Sequence, residues 1–112
     1  MRVLTVTKLT HLLAELADIS WDVILFSETH MPTGKHILDG RHVLFTYLEN
    51  NIYAGVGILL HAKHVRESNR IHCISGKVLA LDFRAGSSKV RAVAVYAPHR
   101  GYDWEHFERT FK

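Results

Sequence analysis

Two short segments carry residue types that could act on a phosphate ester. In the first, Glu28 follows directly after the apolar run 23–26. A carboxylate at the carboxyl end of a strand lies where the sites of open α/β sheets collect. A single carboxylate also suits Mg²⁺, which keeps several waters and needs only one or two protein ligands of this kind. The alternative interpretation is a solvated glutamate that begins a loop.

The second segment ends another apolar run and contains Tyr96, Pro98, His99 and Arg100. Pro98 stops the strand, so the side chains around it could reach a shared pocket. A phenol and an imidazole can each donate to a phosphate oxygen, and a guanidinium can pair with phosphate bidentately. The alternative is a tyrosine that closes a core, followed by an exposed His-Arg loop.

Hydrophobic periodicity predicts the elements that must position these segments. The stripe of Leu9, Leu12, Leu13 and Leu16 indicates a helix over 5–18, with Thr5 or Thr7 as its cap. A second helix is predicted from Asp103, with Trp104, Phe107 and Phe111 on one face. A loop is predicted over 28–34, and strands over 22–27, which we expect to be covered on both faces, and over 42–49, 54–61, 70–74, 77–84 and 89–97.

This order predicts a single α/β domain over 1–112 with a mixed sheet, because hairpin-connected strands follow the first helix and strand. The 112 residues are 47% apolar and 22% charged, which excludes a disordered chain. No apolar run is long enough to span a membrane, and the N-terminus lacks a signal-peptide pattern. We therefore expect a soluble intracellular protein, nuclear or cytoplasmic, with no membrane partner.

Cysteine and histidine usage limits the other kinds of site. Cys73 is the only cysteine, so an internal disulfide framework is excluded, and its apolar neighbours predict a buried, inert thiol. The nine histidines are scattered and do not have zinc-finger spacing, so surface imidazoles explain them better than zinc.

The net charge of +3 permits a polyanionic partner without requiring one. Basic residues crowd the C-terminal third and could form a face for a DNA backbone, although a solvated hairpin explains part of the set: Arg84, Lys89, Arg91, Arg100 and Arg109.

Three segments together resemble a known family. The runs DVILFSETH (22–30), GVGIL (55–59) and VYAPH (95–99) are similar, in order and rough spacing, to segments of the endonuclease/exonuclease/phosphatase superfamily. The closest resemblance is to the apurinic-endonuclease-like domains of non-LTR retrotransposons and of host proteins derived from them. The resemblance implies a four-layer α/β/β/α sandwich, and it covers essentially the whole chain.

By this resemblance, Glu28 matches the family's metal-binding glutamate, and Tyr96 matches the tyrosine that contacts the scissile phosphate. His99 falls where relatives commonly carry Asn and is a second catalytic candidate, while Arg100 is a candidate for substrate binding. The implied cofactor is Mg²⁺ or Mn²⁺, and the implied partner is the phosphodiester backbone of DNA.

The chain does not show the family's opening Asn, its Gly-Asp-x-Asn element or its closing Asp-His pair. We therefore expect an incomplete, N-terminal part of the sandwich that is weak or inactive alone, because the missing groups orient and activate the water. Two alternatives remain open. One is a non-catalytic remnant or nucleic-acid-binding module that self-associates through an uncovered sheet, and the other is a phosphatase or phosphodiesterase of the same superfamily.

Overall fold

The structure is a computed structural model that describes residues 5–27, 29–48, 55–75 and 77–96. It contains one helix, α1 (Val6–Glu15), and one 3-10 turn (Ala62–His64). The seven strands are β1 (Val23–Ser27), β2 (Gly34–Leu38), β3 (His42–Tyr47), β4 (Val56–Leu60), β5 (Arg70–Ser75), β6 (Val78–Ala85) and β7 (Ser88–Val95).

Helix α1 forms where the leucine stripe predicts it. Thr5 caps its start, and the hydroxyl of Thr5 accepts a hydrogen bond from the Lys8 N–H at 3.2 Å. The helix ends at Glu15, three residues earlier than predicted. There the Ala17 N–H bonds the carbonyl of Ala14, three residues back, so the hydrogen bonding changes from the α-helical to the 3-10 pattern. No helix in the described part of the chain is long and apolar enough to cross a membrane.

The strands form two sheets. Sheet I has the order β1-β4-β3-β2, and sheet II has the order β5-β6-β7. Every described strand pair is antiparallel, so the prediction of a mixed sheet is wrong. The reason is that β1 pairs antiparallel with β4, while tight turns connect β2 to β3 and β6 to β7.

Two hydrophobic cores bind these elements into three layers. Between the sheets, side chains of β4 such as Ile58 and Leu60 pack against Leu79 and Leu81 of β6. On the other face of sheet I, Leu9 of α1 packs with residues that include Leu44 and Leu59. Burying each such leucine contributes roughly 1.5–3 kcal/mol. Because successive residues of a strand point to opposite faces, this burial determines which face of each strand points toward which core. The described residues thus form three layers: a helix, a sheet and a second sheet.

Strand β1 contacts both cores, one on each face, as the sequence predicts for a strand covered on both faces, and it is also an edge strand of sheet I. Ile24 and Phe26 pack toward α1 and Val23 packs toward sheet II. Leu25 is about half exposed. The uninterrupted apolar run 23–26 therefore lies in a strand that has a hydrogen-bonded neighbour, β4, on one side only.

Strand β2 is the element that sequence patterning misses. Its residues Gly34–Leu38 lack a clear apolar alternation, and Ile37 is largely exposed. The strand forms because it pairs with β3 along its whole length. The predicted helix from Asp103 lies outside the described residues.

Cys73 is exposed, so the prediction of a buried thiol is wrong. It lies on β5, which is an edge strand of sheet II. The two sheets leave an open cleft beside β5, and Cys73 lines that cleft together with Val43 and Phe45 of β3. Partial desolvation in the cleft raises the pKa of the Cys73 thiol, so the reactive thiolate is scarce.

Candidate functional site

Strands β1 and β7 end at the same end of the two-sheet stack. The last residue of β1, Ser27, pairs with Val56 at the start of β4. The start of β1 lies at the other end, where Asp22 binds His64 at 2.7 Å and the His64 ring lies 5.3 Å from that of Phe83, late in β6. Since β7 runs antiparallel to β6, its last residue lies at the same end as Ser27. We call this the carboxyl end, and the other the opposite end.

Thr29 anchors the chain just after β1. It is almost completely buried, and its N–H bonds the carbonyl of Gly55 at 3.4 Å. A Cβ added at Gly55 would lie 2.8 Å from the Thr29 hydroxyl oxygen, and one added at Gly57 would lie 2.9 Å from the Thr29 methyl carbon. The two glycines of the GVGIL segment therefore make room for Thr29. Gly55 also has φ +70°, a conformation that favours glycine.

Glu28, the predicted metal ligand, lies outside the described residues. Its two neighbours are fixed, since Ser27 pairs within sheet I and Thr29 packs over the glycines. His30 follows with φ 54°, a left-handed conformation that is uncommon for a residue other than glycine. Such backbone outliers cluster at functional sites.

Tyr96 directly follows β7 at the carboxyl end. Its N–H donates to the carbonyl of Lys77 at 2.8 Å, which extends the β6–β7 ladder by one residue. Its half-buried ring packs against the core between the sheets, as does Tyr47 of β3. This contact agrees with the interpretation of a tyrosine that closes a core, and it leaves the proposed contact with phosphate as a prediction. His99 and Arg100 lie outside the described residues.

The described residues at the carboxyl end do not form a metal site by themselves. Across the described ranges, no three His, Cys, Asp or Glu side chains are grouped so that they could hold a metal ion. A metal at this end would therefore depend on Glu28 and on groups beyond the described residues.

A ring cluster that the sequence did not predict lies at the opposite end. Trp21, His42 and His61 have ring centroids 4.6–5.1 Å apart. The Nδ1 of His42 accepts from the Ala62 N–H at 3.0 Å, and the Nδ1 of His61 accepts from the Lys63 N–H at 3.1 Å. Both imidazoles therefore carry their proton on Nε2, which disfavours zinc coordination in this state.

Electrostatics support the neutral state of these two rings. Burial and the neighbouring positive charges lower the pKa of His42 and of His61. The sequence gives no signal of this cluster, since Trp21, His42 and His61 are distant from one another along the chain.

A second polar network lies on the outer face of sheet II. Asp82 of β6 accepts bonds from Nε and Nη2 of Arg91 at 2.6 and 2.9 Å, and from Nε2 of His72 at 2.9 Å. These hydrogen bonds from Arg91 and His72 hold the pKa of the Asp82 carboxyl well below its usual range. Arg91 is thus committed to Asp82 and is less free to pair with a phosphate.

Comparison of the chain with protein-family models, with curated proteins and with solved structures found no match.

Proposed function

We propose that this chain is part of a phosphodiester hydrolase of the DNA endonuclease type that depends on Mg²⁺ or Mn²⁺ and is of retrotransposon origin. The proposal starts from the resemblance of three segments to the endonuclease/exonuclease/phosphatase superfamily. The observation that supports it most is the shared end of β1 and β7. Ser27 of the first segment and Val95 of the third lie at this end, and the second segment supplies the glycines over which Thr29 packs.

In the proposed site, Glu28 is the metal ligand, Tyr96 and His99 act on the phosphate, and Arg100 binds the substrate. When bound, the metal would supply Lewis-acid polarisation of the phosphate. The described residues contribute by holding the backbone beside the proposed site in place. The packing of Thr29 fixes the backbone that follows β1, and the Tyr96 N–H bond to Lys77 fixes the backbone that follows β7. Both anchors lie just after sheet strands, and residues supported by strands are held more closely than those of a free loop.

The full sandwich of this family has a fourth layer, on the outer face of sheet II. The described residues leave Val93 on that face substantially exposed. We propose that residues outside the described ranges cover the part of this face around Val93 in the complete domain, and that the isolated chain is weakly active or inactive.

The test is nicking of supercoiled plasmid DNA by the purified chain, in Mg²⁺ and separately in Mn²⁺, with EDTA as the blank. We expect slow nicking that EDTA abolishes and that Glu28→Gln and Tyr96→Phe each reduce by at least about tenfold, because each removes a group that acts on the phosphate. Glu15→Gln is the matched control, since Glu15 is an exposed glutamate at the end of α1, outside the proposed site. Equal nicking by Glu28→Gln and the unmodified chain would show that the site assignment is wrong.

A substrate panel separates the endonuclease from a phosphatase of the same superfamily. The endonuclease proposal expects turnover of bis(p-nitrophenyl) phosphate, a diester, in preference to p-nitrophenyl phosphate, a monoester. A preference for the monoester would favour the phosphatase. If neither substrate nor plasmid is cleaved, the non-catalytic module becomes the better description of the isolated chain.

A further inference from the structure

A single groove runs along the opposite end of the molecule, away from the proposed hydrolytic site. It consists of two adjoining open hollows of about 380 and 620 Å³. Ser68 and Arg84 line both hollows, so the two are continuous. One wall is the segment from the 3-10 turn to Ser68, and the other is the β6–β7 hairpin. Together the two hollows offer more space than a compact ion would fill.

The groove is rich in positive charge. Its two hollows are lined by two carboxylates, Glu67 and Asp82, and by five cationic side chains: Lys63, Arg66, Arg84, Lys89 and Arg91. The sequence points to Arg84, Lys89 and Arg91, which lie close together in the primary structure. Only the fold adds Lys63 and Arg66, because the 3-10 turn after β4 packs beside β6.

Part of this charge is already compensated, and part is not. Arg91 binds Asp82, and Lys63 lies 3.3 Å from an oxygen of Asp22. Arg66 and Arg84 instead donate to the carbonyls of Val65 and Ser87, which leaves their charges unbalanced. Among the described residues, no carboxylate forms an ion pair with Arg66, Arg84 or Lys89. These three cations line one groove and have no anionic partner there.

We propose that this groove binds the phosphodiester backbone of a nucleic acid, independently of base sequence. A nucleic acid presents regularly spaced phosphates along a line, and cations spread along an extended groove match that pattern. Ser68 adds a hydroxyl at the midpoint of the groove, a group that commonly donates to phosphate oxygens. An anionic membrane is the poorer match. Membrane-surface binding combines cations with exposed apolar side chains, whereas Phe83 of this groove is buried in the core.

This binding does not require hydrolysis, so it is tested separately from the proposed activity. The experiment measures fluorescence anisotropy of a labelled 20-base-pair duplex with the full 112-residue chain, in EDTA, at several salt concentrations between about 50 and 200 mM. Each phosphate contact contributes about −0.9 to the slope of log K against log salt, so three free cations predict a slope of roughly −3.

The diagnostic variant is the double substitution Arg84→Gln with Lys89→Gln, which is expected to reduce the magnitude of that slope by about two. The matched control is Lys8→Gln with Arg41→Gln, which removes the same charge from exposed positions outside the groove and should leave the slope close to that of the unmodified chain. Thermal unfolding of both double variants checks that the fold is retained.

Three results would overturn the proposal. The first is a dissociation constant for the unmodified chain weaker than about 10⁻⁴ M at physiological salt, the weak limit of ordinary non-specific binding. The second is an equal loss of slope in the groove variant and its control. The third is binding to anionic phosphatidylserine vesicles that falls in parallel with duplex binding in the groove variant, which would assign the groove to a membrane surface. Failure of the nicking test leaves all three measurements interpretable, because none of them involves turnover.

Discussion

The methyl group of Thr29 occupies the space that a side chain at Gly57 would need: an added Cβ would lie 2.9 Å from the Thr29 Cγ2. This relationship joins the chain after β1 to the middle of β4. The two residues are 28 positions apart in the sequence. The glycine is therefore explained by a contact across the fold rather than by its own backbone conformation.

Gly57→Ala is expected to destabilise the protein by about 1–3 kcal/mol, because the new methyl group overpacks the site against Thr29 and Leu44. Urea unfolding measures this loss. Thr29→Ser removes the opposing methyl group and keeps the hydroxyl, so Gly57→Ala should cost less in that background. An equal cost in both backgrounds would show that Thr29 is not the group that excludes a side chain at Gly57.

Thr46→Val is expected to lower the free energy of unfolding by about 1–2 kcal/mol. The Thr46 hydroxyl donates to the carbonyl of Pro32 at 2.6 Å and is bonded to Nε2 of His36 at 2.9 Å, so valine would break the link between β3 and the chain entering β2. Thr46→Ser keeps the hydroxyl and serves as the control. Chemical denaturation of the unmodified chain and of both variants measures this loss. Equal unfolding midpoints for Thr46→Val and Thr46→Ser would contradict the expectation.

The stability of the protein is expected to fall as pH decreases from about 7 to 5. His42 and His61 have lowered pKa values in the folded state, because burial and nearby positive charges disfavour their protonation. Below the ordinary histidine pKa of about 6.5 the unfolded chain binds protons first, so unfolding becomes more favourable as the pH falls. This loss of stability levels off once the pH is below the folded-state pKa values of the two histidines.

Denaturant melts at several pH values test this expectation. His61→Gln should flatten the dependence, because it removes one of the two rings and the repulsion it exerts on the other. His11→Gln is the control, since His11 is an exposed histidine of α1 that is not one of the cluster's three rings. If stability depended on pH in the same way in the unmodified chain and in both variants, the ring cluster would not be the source of that dependence.

The Asp82 carboxyl is expected to titrate well below its usual range, and Arg91→Gln should raise its pKa. The largest cause of the lowering is the pair of hydrogen bonds from Arg91, with His72 second. Carboxyl ¹³C NMR titration measures the shift. Arg84→Gln, a change on the same sheet that leaves Asp82 bonded, should not move it. The stabilising effect of this network is therefore present above about pH 4 and is lost as the pH falls through the folded-state pKa.

Self-association is expected to occur through the outer face of sheet II, because the described residues leave Val93 uncovered there. Val93→Lys should shift the chain toward monomer in sedimentation velocity runs. Ile37→Lys is the control, since it changes an even more exposed apolar residue on β2 of the other sheet. A concentration-independent monomer before any substitution would contradict the expectation.

Within the described residues, the apolar pattern alone determined six of the seven strands and the helix α1 to within a few residues. Leu9 and Leu13 share a face at helical spacing, and Ile58 and Leu60 share one at strand spacing, so their own periodicity places them in the core. The sequence could not predict β2, whose residues form a strand only because β3 supplies hydrogen-bonding partners.

Tertiary structure also decided what surrounds the polar residues. Histidine types and spacings do not show that His42 and His61 have Nδ1 atoms bound to backbone N–H groups, because those donors come from a turn far along the chain from His42. The sequence likewise cannot place Arg66 beside Arg84, since only the packing of the 3-10 turn against β6 brings them to one groove. The sequence determined the periodic elements because periodicity is local. The sheet order, the edge position of β1 and the groove depend on which strands pair, and that was decided by the burial of both cores together.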